Sequence, residues 1–285
     1  MQLLSLRAGR LALDLAPQAG GSIARFTVDG IDLLRPPPAG GLAPGRGNES
    51  ACYPLVPFSG RIAHGRLAFD GSEHVLKANA PSGESHPIHG DGWLHPWTVE
   101  RSDGASAMIV YQHDGRDGWP FRYRTCQAYR LEGDVLTIGM SLENLEGRSV
   151  PGGLGLHPFF LRDAETELSC RTRYIWLTDA EVLPVERVAV PAKWDFARPR
   201  RVEGVTVDSC FEAWDGLATI AWPKAGLRLE MEASETFRDL VIYIPPGRRY
   251  FCVEPVSHVP GAIAATRLGA GETLSGTIAF RLSSQ

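Results

Sequence analysis

The sequence predicts an all-β fold, a large antiparallel β-sandwich, and three observations carry that expectation. Apolar residues recur with a period of two in most of the apolar segments. The 31 glycines and 21 prolines fall between those segments, where turns belong. Apolar stripes at helical spacing longer than two turns are hard to find.

Taken in order, Leu11, Leu13 and Leu15 alternate near the N-terminus as a half-buried strand. Phe121, Tyr123, Thr125, Gln127, Tyr129 and Leu131 share one strand face, with Arg122, Arg124 and Arg130 on the other. Leu136, Ile138, Met140 and Leu142 repeat the pattern. Leu227, Leu229 and Met231 alternate with Arg228, Glu230 and Glu232, and Leu274, Ile278, Phe280 and Leu282 bring the alternation almost to the end. The Gly/Pro-rich stretch 35–47 comes too early to leave a viable N-terminal domain before it. It reads as a long surface loop beside a site, and residues 1–285 read as one domain.

Composition narrows the function. Of 285 residues, 44% are hydrophobic and 22% charged, so most of the chain can offset its ordering entropy by burial. A formal charge of -4 offers no basic excess for nucleic acid. No apolar run approaches the ~20 residues that cross a bilayer. Arg7 and Arg10 interrupt the N-terminal apolar stretch, unlike a secretory signal. Five scattered cysteines (52, 126, 170, 210 and 252) with no CxxC pair point to reduced thiols and a cytoplasmic protein.

Four segments depart from plain strand-and-turn sequence. In YPLVPFSGRIAHG, Arg61 follows two prolines and a small-residue turn, so its donor fork would suit an oxygen-rich ligand. On this segment alone a surface arginine is the simpler reading. HPIHGDGWLHPW brings three histidines and two tryptophans together. His86 and His89 are spaced HxxH, but extended geometry does not put i and i+3 on one face, so no metal is expected. Trp93 is a candidate stacking wall for a sugar ring, and Trp97 reads as core. In GGLGLHPFFLR, Pro158 biases His157 towards extended backbone, and the following phenylalanines suggest a partly dry pocket for proton transfer. A structural strand histidine is the competing reading. In YFCVEPVSHVPGA, Glu254 points away from the apolar face of Phe251 and Val253, either into a site or into solvent. Asp208 in VTVDSCFEAW is a milder case.

Together and in this order, YPLVPFSGRI, HPIHGDGW, GLGLHPFF, VDSCFEAWDG and FCVEPVSHVPGA resemble the aldose 1-epimerase (galactose mutarotase) family over nearly the whole chain. The resemblance implies a β-sandwich of the galactose mutarotase type with an open sugar-binding cleft on one sheet. It implies that His157 is the catalytic acid and Glu254 the base. It assigns substrate binding to Arg61, His89 and Asp208. The reaction opens an aldose at C1 and recloses it as the other anomer, with no cofactor or metal and a monosaccharide as the only required partner. The chain would act as a monomer or homodimer. Glu254 is expected to be ionised at neutral pH and His157 charged beside it, the two facing each other across one hexose ring. The alternatives are a carbohydrate-binding protein without catalysis, or a mutarotase for a sugar phosphate or uronate. Three departures from the family bear on sugar preference: Gly60 replaces an Asn common before the arginine, Gly261 an Asp, and Asp91 an aromatic residue.

Overall fold

The computed structural model describes residues 1–80 and 83–284. Two large antiparallel sheets pack face to face. One contains eleven strands, running through Cys52–Leu55, Gly155–Leu161, Tyr250–Val256, Asp239–Ile244, Val207–Glu212 and Tyr174–Thr178 in neighbouring order. The other contains nine, with Thr273–Ser284, Val135–Asn144, Arg122–Glu132 and Ser106–Asp114 side by side. The alternating segments form these strands because each can give one face to the core and the other to solvent or a cleft.

The core lies between the sheets. Leu136, Ile138, Met140, Leu142, Leu229, Met231, Ile278, Phe280 and Leu282 project into it from the nine-stranded sheet. Leu11, Leu13, Phe26, Leu156, Phe160, Phe251 and Val253 meet them from the other. Phe160 and Phe280 touch across the interface, with ring centroids 5.9 Å apart. Trp97 joins this core, its indole N–H satisfied by the Gly92 carbonyl at 2.8 Å. No helix among the described residues is long and apolar enough to cross a membrane.

Period two then fixes the cleft. With Phe251 and Val253 turned to the core, Cys252 and Glu254 must face the opposite side of the large sheet. Leu156 and Phe160 do the same for His157 and Phe159. That outward face forms the floor of a cleft of about 810 Å³. The 35–47 loop borders it: Arg35 at one end and Asn48 and Glu49 just beyond the other contribute to its lining.

Candidate active site

His157 and Glu254 are 97 positions apart in the chain but neighbours across two paired strands. Gly155 lies opposite Val256 and Phe159 opposite Cys252, so the register between them sets His157 opposite Glu254. Each is followed by proline, which has no N–H for the ladder. His157 Nε2 lies 3.3 Å from Glu254 Oε1. The pair is in direct contact, not separated by a ring's width as the sequence suggested. Both residues line the cleft although each is more than nine-tenths buried. The remaining polar atoms of the pair, His157 Nδ1 and Glu254 Oε2, are buried and have no hydrogen-bond partner.

Burial governs their charge. It pushes the Glu254 carboxyl well above the usual carboxylate range, with Asp208 adding to the shift and Arg61 opposing it. It drives His157 well below the usual histidine range, reinforced by the positive charge of Arg35. Burial therefore opposes both charges that the ordinary pKa values assigned, and it favours a proton on the carboxyl group over one on the imidazole.

His89 projects from a turn locked to Gly60 by two hydrogen bonds. Its backbone N–H donates to the Gly60 carbonyl at 3.0 Å, and the Gly60 N–H donates to His89 Nδ1 at 3.1 Å. Nδ1 is thus an acceptor, and the neutral ring carries its proton on Nε2. Burial, with Arg61 adding, holds the His89 pKa down to about 3, so the ring stays a neutral donor. Its ring meets that of His157 edge-on at 5.3 Å. Gly60 has φ +69°, and a Cβ there would come within 2.3 Å of Pro260 Cβ. An Asn at this position would have to displace that proline.

Arg61 lies beside this turn and bonds Glu84 at 3.0 Å through Nη2, while its buried Nε has no partner. Asp208 lines the same wall, its pKa raised by burial and by Glu84 and lowered by Arg61. The structure thus brings His157, Glu254, Arg61, His89 and Asp208 to one cleft. Trp93 is corrected: it is 1% exposed, behind Tyr53, with its N–H on the Gly90 carbonyl at 3.1 Å. It supports the floor and lines no part of the cleft. Sequence reasoning missed Arg35, Tyr53, Trp176, Tyr243 and Tyr250, all of which line the cleft. Alternation marks Tyr243 as facing opposite to Ile242 and Ile244. No local signal marks Arg35.

The HxxH pair separates, His89 entering the cleft and His86 packing against His64. His86 Nδ1 accepts the His64 N–H at 3.1 Å, leaving the proton on Nε2, which faces Glu181 at 3.6 Å. A protonated Nε2 is no metal ligand. His157, Cys252 and Glu254 also converge, but burial raises the Cys252 thiol well above its usual range and keeps it protonated.

The aldose 1-epimerase family profile matches residues 2–281. The chain belongs to the aldose 1-epimerase family. Among members of this family and their neighbours, the uncharacterized protein YphB of Escherichia coli K12 is 32% identical over 268 residues, covering 91% of this chain and 89% of its own length. The crystal structure of a provisionally assigned aldose 1-epimerase from Escherichia coli K12 superposes with a TM-score of 0.91 at 30% identity, covering 100% of this chain and 99% of the other. The GalM/aldose epimerase homologue of C. elegans shares the fold at a TM-score of 0.85 and 16% identity, over 99% of each chain. Membership in the aldose 1-epimerase family supports a mutarotase-type function.

Proposed function

We propose that this aldose 1-epimerase family member interconverts the α and β anomers of a free aldose through His157 and Glu254. The observation that carries the reading is the 3.3 Å contact between a buried imidazole and a buried carboxyl at a cleft floor, each with its remaining polar atom left unpartnered. The two sugar oxygens that exchange protons, O1 and O5, are bonded to the same carbon. An acid and a base that serve both must therefore be close together, which the direct contact supplies.

One proton shared by the pair suffices for a full cycle. Glu254 gives its proton to O5 as the C1–O5 bond breaks, and His157 takes the proton of the C1 hydroxyl as the aldehyde forms. The pair is left as carboxylate and imidazolium, with Arg61 favouring the carboxylate. After rotation about C1–C2 the transfers run backwards: O5 attacks C1, Glu254 recovers its proton, and His157 returns one to O1. The resemblance to the family assigns the opposite starting roles, which correspond to the ion-pair form of the same two residues. His89 would donate Nε2–H to a ring or hydroxyl oxygen, and Arg61 and Asp208 would hold hydroxyls. All five cysteines are free, which supports a reducing compartment such as the cytoplasm. A single domain acting as monomer or homodimer is sufficient for the chemistry.

Polarimetry on freshly dissolved α-glucose and α-galactose tests the reading, and no acceleration over the buffer-catalysed rate would refute it. The pH profile is a second check. With His157 held well below 6.5 and Glu254 well above 4.5, kcat/KM is expected to show no inflexion at either ordinary value. A rise in activity centred near 6.5, or a fall centred near 4.5, would contradict the one-proton pair.

A further inference from the structure

We infer that His258 is a positioning residue for His89: by accepting the Ser59 N–H it fixes the turn whose next amide, the Gly60 N–H, keeps the His89 proton on Nε2. The inference rests on the mutarotase reading above only for the use that His89 makes of this proton. His258 follows Glu254 by four positions, is 5% exposed and does not line the cleft. Its two ring nitrogens have fixed duties. Nδ1 lies 2.9 Å from the Val259 carbonyl, which can only accept, so Nδ1 carries the ring proton. Nε2 is then a lone pair. The Ser59 backbone N–H donates to it at 3.1 Å, with the Ser59 hydroxyl 3.4 Å away. Burial, against the Val259 carbonyl, holds the His258 pKa down to about 4, so at neutral pH the ring stays an uncharged acceptor.

The next amide repeats the arrangement with the other tautomer. The Gly60 N–H donates to His89 Nδ1 at 3.1 Å, which leaves the His89 proton on Nε2. Two consecutive N–H groups thus each donate to an imidazole, one behind the cleft wall and one on it. Residues 257–260 grip this turn from two sides, His258 bonding Ser59 and Pro260 filling the space above Gly60. Ser257 ties the same segment to the entry of the His157 strand. Its N–H donates to the Leu154 carbonyl at 2.9 Å, and its hydroxyl accepts the Leu154 N–H at 2.8 Å. Gly153 leaves the room that the His258 ring occupies, since a Cβ there would come within 2.3 Å of Cδ2. His258 therefore sits where the strand of His157, the strand of Glu254 and the turn of Arg61 meet.

A staple that merely joined two loops would involve Ser59 and leave His89 unaffected. Burial of Ser59, which is 1% exposed, prevents that separation. Without an acceptor on His258 its N–H has no water to turn to and must find another partner. Rotation about Ser59 reorients the Gly60 N–H that follows it. His89 Nδ1 then loses its donor and is free to take up the ring proton, and Nε2 has none to give to a sugar oxygen.

Two measurements on the full chain test this. The first is long-range nitrogen–proton NMR on protein labelled in its histidine rings, with the His89 signals identified by their loss in His89→Phe. The wild type should show His89 protonated on Nε2. His258→Leu should shift it to a mixture with the Nδ1 tautomer, and His258→Gln, whose amide oxygen can accept from Ser59, should restore it. The second is a double-mutant cycle in kcat/KM, on whichever of galactose and glucose is turned over faster. His258→Leu should lower kcat/KM about tenfold, the effect of one lost hydrogen bond. In a His89→Phe background the same substitution should matter less than about twofold, because its route to the sugar is already gone. If His258→Leu fails to fold, His258→Met, with only a weakly accepting thioether, takes its place in both measurements. An unchanged His89 tautomer, or equal losses in both backgrounds, overturns the inference and leaves the mutarotase reading intact. If no sugar is turned over, that reading fails instead, and the tautomer alone decides the role of His258.

Discussion

Among the described residues two histidine–carboxyl pairs are buried, and they have opposite electrostatics. In the pair between Asp91 and His113, Nδ1 lies 2.8 Å from the carboxylate. Tyr123 and Tyr111 donate hydroxyls to Asp91 at 2.6 and 3.2 Å, and His113 Nε2 bonds the Trp119 carbonyl at 2.7 Å. Burial opposes the charge on His113, but the hydrogen bond and attraction of Asp91, with the Trp119 carbonyl, outweigh it and raise the pKa. Between His157 and Glu254 the contact is 3.3 Å, the remaining polar atoms are unpartnered, and burial prevails in both residues. Where every polar atom is satisfied, the surroundings favour the charged form of the histidine. Where polar atoms are left unpartnered, burial disfavours charge on both residues. Unfilled hydrogen-bonding capacity, not the residue types, distinguishes the candidate reaction centre from the structural pair.

The largest effect expected from this contrast is on rate. Glu254→Gln and His157→Ala should each slow anomer interconversion by roughly 10² to 10⁴-fold, the usual contribution of a positioned proton-transfer group. The double variant should be little slower than the slower single one, because the two share one proton and act as a unit. Multiplicative losses in polarimetric rates would mean that the residues work separately.

The next effect is on stability, and its sign should differ between the pairs. Asp91→Asn removes the counter-charge of a buried cation and should cost about 3–5 kcal/mol in denaturant unfolding at neutral pH. Glu254→Gln should be neutral or stabilising under the same conditions. A carboxyl whose folded pKa is raised contributes fully only below its unfolded value, and that contribution is lost as pH rises through the folded one. Equal destabilisation by both substitutions would erase the distinction.

Much of this was legible in the sequence, and the reasons are local. Alternation placed Glu254 opposite Phe251 and Val253, and that orientation depends only on the pleat. His157, Arg61, His89 and Asp208 came from short motifs that constrain a few bonds around each residue. Whatever depended on distant chain segments was not legible. The His157–Glu254 distance is a matter of register between strands 97 positions apart, and the ordinary pKa values failed because burial is a tertiary property. Trp93 was misplaced because an indole near a histidine-rich turn suits a stacking wall and a supporting layer equally well. Its N–H on Gly90 decides between them. Arg35 precedes three prolines in a loop, and only the folded chain shows its guanidinium above Phe159. Asp91, a departure from the family pattern, gained its explanation from Tyr111, His113 and Tyr123 on two strands that follow it.

The smallest effect is a slope. A histidine whose pKa is raised on folding stabilises fully below its unfolded value near 6.5, and that contribution is lost as pH rises through the folded value. His113 should therefore give the wild type a loss of stability with rising pH above about 6.5, at most about 1.4 kcal/mol per pH unit. His113→Asn removes the titration while keeping a donor for Asp91, whose tyrosine partners remain. Glu254 and His157 titrate in both proteins, so subtracting the two unfolding curves cancels their contributions and isolates His113. The difference should be largest at acid pH and shrink as His113 deprotonates. A difference that stays constant or grows as pH rises from 6 to 8 would mean that folding does not favour the charged form of His113. The two pairs would then no longer differ in charge, only in the number of bonds each makes.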